Sequence, residues 1–209
     1  MDVNLIEHMG SDLTVVNAAR VSFAKESEDL DDKDEKLIGY LAKHNHWSPF
    51  AHAFLQFRIK APIFVARQLV KHQVGLSWNE VSRRYVDSDP EFYNPTVWRG
   101  RPQDSKQGSS GEIDDQNTAK MILEQTNLLA FKNYKSLIDA GVAPEMARVI
   151  LPQTMMTEWF WSGSLHAFGR ICKQRLDPHT QEETQIIANG INEHCERLFP
   201  VSWRALMSV

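Results

Sequence analysis

The chain contains only two cysteines, Cys172 and Cys195, among its 209 residues. Two cysteines are too few for a disulfide framework or a four-cysteine zinc site. The sequence also has no apolar run near the roughly 18 residues that a membrane-spanning helix needs. Its first residues have neither the basic segment nor the apolar segment of a secretory signal. These absences predict a cytoplasmic protein.

Three signals of common phosphate and metal sites are also missing. The sequence has no Gly-rich phosphate loop before a helix, no G-x-G-x-x-G and no H-E-x-x-H. His44, His46 and His52 lie close together, but their spacing fits no standard zinc motif and no cysteine is near. Such a group is more typical of a solvated helix end followed by a turn, or of a pocket that one histidine borders. We therefore predict no metal site.

The composition is that of a folded globular chain, with 42% hydrophobic and 24% charged residues. It excludes a mainly disordered or a fibrous chain. The net charge of −4 argues against a protein that coats a nucleic acid, but it is compatible with a basic pocket for one phosphorylated molecule.

Hydrophobic periodicity predicts helices and strands in alternation along the first half of the chain. Residues 3–9 fit an edge strand, and the acidic stretch 26–35 precedes a helix that ends at 43–46. Residues 53–59 alternate with period two, which is typical of a half-buried strand. Pro62 then begins a helix that we expect Gly75 to end, and a polar loop follows it.

In the second half, residues 99–118 are poor in apolar side chains and predict an exposed, flexible insertion. A long helix is predicted over 119–140 and a short one over 145–150. A strand over 155–161 follows, and then helices over 165–175 and 182–198. The prediction is a single, helix-rich α+β domain that spans 1–209.

The densest polar stretch runs from Arg67 to Tyr85. It supplies hydroxyls, amides, a carboxylate and several cations in a loop after an apolar helix. Such a set suits an anionic ligand with a polar ring, although a helix with a charged face and a solvated loop would have a similar composition. The residues alone indicate a phosphate-bearing ligand.

Part of this stretch resembles the signature of the flavin-dependent thymidylate synthases, R-H-R-x-x-S-x-N-E-x-S-x-R-Y. From Lys71 to Tyr85 the chain reads K-H-Q-V-G-L-S-W-N-E-V-S-R-R-Y. The second half of the signature is matched in full. The first half departs from it, because Lys71 and Gln73 replace two arginines and the gap before Ser77 is one residue longer.

Other segments, in the same order, resemble motifs of that family. They are Ala18 to Ser22 (A-A-R-V-S), His46 to His52 (H-W-S-P-F-A-H), Pro62 to Gln68 (P-I-F-V-A-R-Q), Gly141 to Pro152, which contains Arg148, and Arg175 to Glu183 (R-L-D-P-H-T-Q-E-E). The resemblance implies a twisted, largely antiparallel sheet flanked by helices. It also implies a homotetramer whose active sites are shared between subunits.

The activity that the resemblance implies is the conversion of dUMP to dTMP. Methylenetetrahydrofolate would supply the carbon, and FAD reduced by NADPH would supply the hydride. Arg175 occupies the position of the arginine that favours ionisation of uracil at N3, so it is the candidate catalytic residue. The positions that the resemblance assigns to dUMP, with Arg148 coming from a neighbouring subunit, are Gln68, Leu69, Val70, Lys71, Glu80, Val81, Ser82, Arg83, Arg84, Arg148 and Arg175.

The resemblance also assigns a set of positions to FAD. They are Ser22, His52, Lys71, His72, Gln73, Ser77, Glu80, Ser164, His166 and Arg170. The last three stand where the family commonly has Asn, Arg and Asn. Lys71 retains a positive charge for the FAD pyrophosphate, Gln73 loses one, and Arg170 would restore it.

Two alternatives follow from the same residues. The classical thymidylate synthase attacks dUMP with an activated cysteine, but Cys172 lies on an apolar helical stripe and Cys195 near the end of a helix. We therefore expect a mechanism without an enzyme nucleophile. The altered first half of the signature favours a second alternative, a flavin- or nucleotide-binding relative with impaired catalysis.

Overall fold

The computed structural model describes residues 1–103 and 108–209. Their helices are α1 (Asp12–Arg20), α2 (Asp32–Lys43), α3 (Ile63–Leu69), α4 (Gln116–Asp139), α5 (Pro144–Ala147), α6 (Leu165–Arg175), α7 (Glu182–Leu198) and α8 (Pro200–Met207). Their strands are β1 (Asp2–Met9), β2 (Phe54–Pro62), β3 (Leu76–Glu80), β4 (Arg99–Gly100), β5 (Ser110–Glu112) and β6 (Met156–Ser164). Within these residues, none of the helices combines the length and the apolar character that crossing a membrane requires.

The main sheet has the strand order β1-β2-β6-β3, and each neighbouring pair is antiparallel. Alternate residues of β2 face the core, where Leu55, Phe57 and Ile59 are fully buried, while Arg58 between them is exposed. This alternation is the one that the period of two in the sequence predicts. The predicted α+β class with a largely antiparallel sheet is confirmed.

Helices α3, α6 and α7 cover one face of the sheet. The hydrophobic core lies between them and the strands, and Phe57 and Trp161 contact Phe168 of α6 edge-on, with ring centroids 5.1 and 5.5 Å away. Each fully buried large side chain contributes about 1.5–3 kcal/mol to folding. The core therefore fixes the ends of α3, α6 and α7 relative to the sheet.

The opposite face of the sheet is covered by no helix within the described residues. Polar cross-strand pairs occupy it: Arg58 Nε donates to Glu158 Oε1 at 2.7 Å, and Gln56 Nε2 donates to Ser162 Oγ at 3.0 Å. Phe160 on this face is exposed. The single protomer thus leaves one side of its sheet open.

The structure corrects the predicted end of α3 and the polar loop after it. The helix ends at Leu69 rather than at Gly75, and residues 76–80 form β3 instead of a loop. Pairing with β6 explains both differences, because Ser164 N donates to the carbonyl of Gly75 at 3.3 Å as β3 begins. Gly75, at φ +76°, belongs to the turn that enters this strand.

Two helices were missed in the sequence, α1 and α8. Asp12 at the start of α1 is buried, and its two carboxylate oxygens accept from Val201 N at 3.0 Å and Ser202 N at 2.8 Å. These amides belong to the first turn of α8, where a carboxylate satisfies free N–H groups. A contact between residues about 190 apart leaves no local signal in the sequence.

The segment 99–118 contains more structure than the sequence predicts. Its described residues include β4, β5 and the first turn of α4, where Asp115 Oδ1 accepts from Thr118 N at 2.9 Å. Residues 104–107 lie outside the described residues, so the predicted flexibility of this insertion remains a prediction. The start of the segment is anchored, because Arg99 forms ion pairs with Glu183 at 2.7 Å and Glu182 at 2.9 Å.

Candidate active site

The ends of α3 and α6 and the start of α7 bring together five polar residues, which we call the Arg175 cluster: Gln68, His72, Arg175, Gln181 and Thr184. Arg175 Nε donates to His72 Nε2 at 3.0 Å, and its Nη2 donates to the carbonyl of Gln68 at 3.3 Å. Arg175 is half-buried. Two of its N–H groups therefore bind the protein and hold the guanidinium in place, while its other N–H groups remain able to donate to a ligand.

The imidazole of His72 is kept neutral. Burial lowers the pKa of His72, and the positive charges of Arg175 and Arg170 lower it further. A neutral ring can accept the hydrogen bond from Arg175 at Nε2, whereas a protonated ring could not. His72 therefore orients the guanidinium without competing with it for an anion.

The amide of Gln68 is oriented from α7. Its Nε2 donates to Gln181 Oε1 at 2.7 Å, and its Oε1 accepts from Thr184 Oγ1 at 3.1 Å. Thr184 is buried and was missed in the sequence, although its place in the first turn of α7 on the inward face is a usable signal. One N–H and the oxygen of the amide thus orient it before any ligand binds, and its second N–H is able to donate to a ligand.

A cavity of about 660 Å³ opens beside the Arg175 cluster. Its lining includes Gln68, Lys173, Arg175, His179 and Gln181. Two cations, several amides and one imidazole suit a ligand that carries negative charge and a polar ring. The lining also contains the carboxylate of Asp177, which is hydrogen-bonded to His179 Nδ1 at 2.9 Å.

A second group of predicted residues lies on the loop after α3, at the start of β3 and on α6. We call it the loop edge: Lys71, Gln73, Ser77, His166 and Arg170. Lys71, Gln73, Ser77 and Arg170 are exposed and His166 is half-buried. Burial, together with the positive charges of Arg170 and Lys173, lowers the pKa of His166. This edge is a mostly solvent-facing surface of cations and polar groups.

Through His166 the loop edge borders Trp47, which lines a large cleft beside α1 and α2. Trp47 and His166 lie with ring centroids 5.8 Å apart, and Trp47 also lines a cleft of about 930 Å³ that contains Ser22, Phe23 and Tyr40. His46 borders the same cleft, as one of the alternatives for the histidine group predicts. His52 is exposed just after the 3-10 helix Ser48–Ala51.

The residues of this surface fit FAD by their chemistry. Trp47, Tyr40 and Phe23 offer aromatic surface for a ring system, and Lys71 and Arg170 offer positive charge for a pyrophosphate. Ser164 is an exception among the predicted positions, because it is buried and its Oγ caps α6 by accepting from Ala167 N at 3.2 Å. Its hydroxyl is already engaged in holding the helix.

The matched half of the signature continues along β3 and past its end. Glu80 Oε1 accepts from Thr157 Oγ1 at 2.7 Å and Oε2 accepts from Trp78 Nε1 at 3.2 Å, so this carboxylate is oriented. Beyond the strand, Arg84 Nε donates to Ser82 Oγ at 3.2 Å. Hydroxyl and guanidinium thus form a pair that could bind one phosphate.

Four other positions that the resemblance assigns to dUMP differ in how they could contact a ligand. Leu69 is fully buried in the core, so only its backbone could reach a ligand, and Val70 is half-buried. Val81 is exposed, and Arg83 donates to the carbonyl of Ser88.

Arg148 stands apart from the other predicted dUMP residues. It lies in the 3-10 helix Arg148–Ile150, is exposed, and donates to the carbonyl of Glu145 at 3.2 Å. Within the described residues, no hydrogen bond joins it to the Arg175 cluster or to Ser82 and Arg84. One protomer therefore does not assemble the whole predicted set.

Both thiols are unsuited to act as nucleophiles. Cys172 and Cys195 are fully buried, and burial raises the pKa of each thiol well above its usual value. Cys172 Sγ donates to the carbonyl of Ala188 at 3.7 Å inside the core. The apolar stripe on which the sequence places Cys172 is thus part of the core.

A buried ion pair next to the Arg175 cluster was not foreseen. Although burial alone would raise the pKa of Glu183, the hydrogen bond and charge of Arg99 hold it below its usual range. Tyr93 donates to the same carboxylate at 3.4 Å, and burial together with that negative charge raises the pKa of Tyr93 to about 12. Both residues line a cavity of about 420 Å³, with Phe64 and Trp98 among its walls.

Solved structures share this fold. A UMP/dUMP methylase, PolB from Streptomyces cacaoi, bound with 5-Br dUMP, is 31% identical to the chain and superimposes with a TM-score of 0.89. The match covers 99% of this chain and 94% of the methylase chain. Its complex with 5-Br UMP gives a TM-score of 0.86.

Sequence comparison points to the same group. A flavin-dependent thymidylate synthase from Thermus thermophilus is 39% identical over 203 residues, which are 97% of this chain and 74% of that protein. One from Kosmotoga olearia is 38% identical over 208 residues, or 99% of this chain and 90% of that protein. The model of the family described as thymidylate synthase complementing protein matches residues 4–201. The chain belongs to this family.

Proposed function

We propose that the chain converts dUMP to dTMP by reductive methylation, with methylenetetrahydrofolate as the carbon donor. FAD, once reduced by NADPH, would supply the hydride, and the folate would leave as tetrahydrofolate. The observation that carries the proposal is the Arg175 cluster, an oriented guanidinium and amide beside a cavity large enough for a nucleotide. The names of the relatives, thymidylate synthases, and of the solved UMP/dUMP methylase indicate the same class of substrate, a uridine nucleotide.

Arg175 would stabilise the uracil ring. Ionisation of uracil at N3 spreads negative charge over N3, O2 and O4, and a fixed cation beside these atoms would lower the free energy of that state. The contacts with His72 and Gln68 fix the guanidinium before the substrate arrives. Such a donor contributes about 3–4 kcal/mol to the transition state.

The phosphate of dUMP would bind to Ser82 and Arg84, with Gln68 on the nucleoside side. A guanidinium and a hydroxyl together can each donate to a different phosphate oxygen. Glu80, held by Thr157 and Trp78, would accept from a donor of the nucleoside or of the flavin ring.

We also propose the homotetramer with shared sites. Around Arg148, large apolar side chains on α4, α5 and the 3-10 helix are exposed: Ile122, Leu129, Met146 and Val149, with exposed fractions of 60–73%. A contiguous apolar surface of this kind usually contacts another chain. A second copy packed here would carry its Arg148 towards a neighbouring site, which one protomer leaves incomplete.

The loop edge and the Trp47 cleft would bind FAD. Lys71, Gln73 and Ser77 would contact the pyrophosphate and the ring edges, while the cleft with Ser22 would hold an aromatic part of the cofactor. We place the enzyme in the cytoplasm, where reduced nicotinamide is available and the two buried thiols stay reduced.

The alternative is a relative that binds flavin or nucleotide without turnover, and the departures at Lys71, Gln73, Ser164, His166 and Arg170 favour it. One anaerobic assay decides between the two. The protein loaded with FAD receives dUMP, methylenetetrahydrofolate and NADPH, and dTMP is measured; a parallel reaction contains UMP, because the solved neighbour is named a UMP/dUMP methylase. We expect dTMP and bleaching of the flavin absorbance by NADPH. A yellow protein that is reduced but forms no methylated product would support the alternative.

A further inference from the structure

The loop from Gln73 to Leu76, where the signature gap is one residue longer, is fixed against the start of α6. Gly75 O accepts from Ser164 N at 3.3 Å, and Leu76 N donates to Gln73 O at 3.1 Å. At φ +76°, Gly75 has a backbone conformation that favours glycine, and a Cβ there would lie 3.3 Å from Ala167 Cβ. The loop therefore approaches α6 closely in one conformation.

Arg170 adds a side-chain bond to the same loop. Its Nη2 donates to the carbonyl of Val74 at 2.5 Å, across 96 residues of sequence. The family commonly has Asn at this position, whose side chain is three heavy atoms shorter. The longer side chain and the longer gap thus occur together in this chain.

We propose that Arg170 is a positioning residue that holds the lengthened loop, rather than a direct ligand of the FAD pyrophosphate. The bond to Val74 fixes the chain directly after Gln73, and so it sets the direction in which Lys71 and Gln73 face the cofactor. The expected effect of Arg170 on FAD binding rests on the proposed function. The contact between Arg170 and the loop does not, because it is present in the protein without cofactor.

Lys173 provides the matched control. It lies one helical turn from Arg170 on α6, is also an exposed cation, and lines the same small cavity with His166. Among the described residues it makes no hydrogen bond to the loop. Removing Lys173 changes the local charge as removing Arg170 does, but leaves the bond to Val74 intact.

Amide hydrogen exchange on the protein without FAD tests the contact. In Arg170→Ala we expect exchange at Leu76 and Ser164 to accelerate about tenfold, because a charge-assisted hydrogen bond to the loop is lost. In Lys173→Ala we expect wild-type exchange at both amides. Equal rates in wild type and Arg170→Ala, or equal acceleration in both variants, would overturn the proposal.

Titration with FAD at low and high salt then tests the role. Arg170→Ala should weaken FAD binding about three- to tenfold. The factor should be the same at both salt concentrations, because ions do not screen the ordering of the loop. A factor that disappears at high salt would identify Arg170 as a phosphate ligand and would overturn the proposal. If wild type itself fails to bind FAD, the proposed function fails, while the exchange result on the loop still stands.

The proposal also predicts that a shorter loop does not depend on Arg170 for its order. Deleting Val74 restores the family's gap length, and in that background we expect Arg170→Ala to change exchange at Leu76 less than twofold. A full tenfold effect in the shortened loop would contradict the proposal, because Arg170 would then act independently of the loop length.

Discussion

The Arg175 cluster and the loop edge are built in different ways. In the cluster, Gln68, His72 and Arg175 are bound to one another or to α7, and each is partly buried. At the loop edge the side chains of Lys71 and Gln73 face solvent. The five departures from the family positions all concern the loop edge or the start of α6, and none of the five lies in the cluster. A region whose groups fix one another tolerates little change, whereas an exposed surface can replace one cation by another nearby.

Breaking the cluster should have the largest effect. We expect Arg175→Ala to lower turnover about a hundredfold or more while FAD binding stays near normal, since one charge-stabilising donor is lost. Steady-state kinetics and a FAD titration measure both quantities. Arg197→Ala, which removes an exposed cation from α7, serves as the control. Turnover of Arg175→Ala within a factor of a few of wild type would exclude the assigned role.

The ion pair behind the cluster should govern stability at low pH. The carboxylate of Glu183 has its pKa lowered by Arg99, so it stabilises the fold above the unfolded pKa near 4.5 and loses this contribution as the pH falls through its folded pKa. We expect the free energy of unfolding to fall more steeply below pH 4.5 in wild type than in Glu183→Gln. Urea unfolding between pH 3 and 7 measures it, and parallel curves for the two proteins would contradict the expectation.

The loop edge should tolerate a change that adds charge. Because Arg170 already binds the carbonyl of Val74, we expect Gln73→Arg to tighten FAD binding a few-fold, mostly at low ionic strength. The gain is small because the position is exposed. FAD titration at two salt concentrations measures it, with Lys33→Arg on α2, an exposed position that does not line the proposed FAD cleft, as a charge-neutral control. Unchanged or weaker binding would show that the side chain of residue 73 is directed away from the cofactor.

The smallest effect on the chemistry is expected in the core. The double variant Cys172→Ala with Cys195→Ala should keep dTMP formation, although two small cavities will lower its stability. Turnover at a temperature where both proteins are folded, as judged by circular dichroism, is the measurement. A folded but inactive double variant would restore a thiol mechanism.

The parts of the fold that the sequence predicts are those with local patterns. The alternation along β2 gives the strand to within three residues of its ends, and the apolar spacing of α7 gives the helix with both of its ends. α8 and the strand β3 were missed, because one depends on Asp12 at the far end of the chain and the other on pairing with β6. Long-range partners of this kind are absent from any short window of sequence.

The candidate site divides in the same way. The resemblance to a family identifies Arg175 and Gln68 by their motifs, and the structure brings them together. The resemblance does not indicate that Thr184 orients Gln68. Nor does it indicate that Arg99, in a segment predicted to be exposed, forms an ion pair with α7. Ser164 shows the converse, since a position that the motif assigns to FAD has its hydroxyl engaged in capping a helix.

The carboxylate of Asp12 has a consequence for the order in which the protein comes apart. By accepting from Val201 and Ser202, this carboxylate joins α1 to α8. Two helices near opposite ends of the described chain are therefore held together. Opening either end uncovers Val15 and Val16 and deprives α8 of its cap. The two ends should therefore fray together rather than separately. Trimming residues 200–209 should make the region of α1 as sensitive to proteases as the cut end itself.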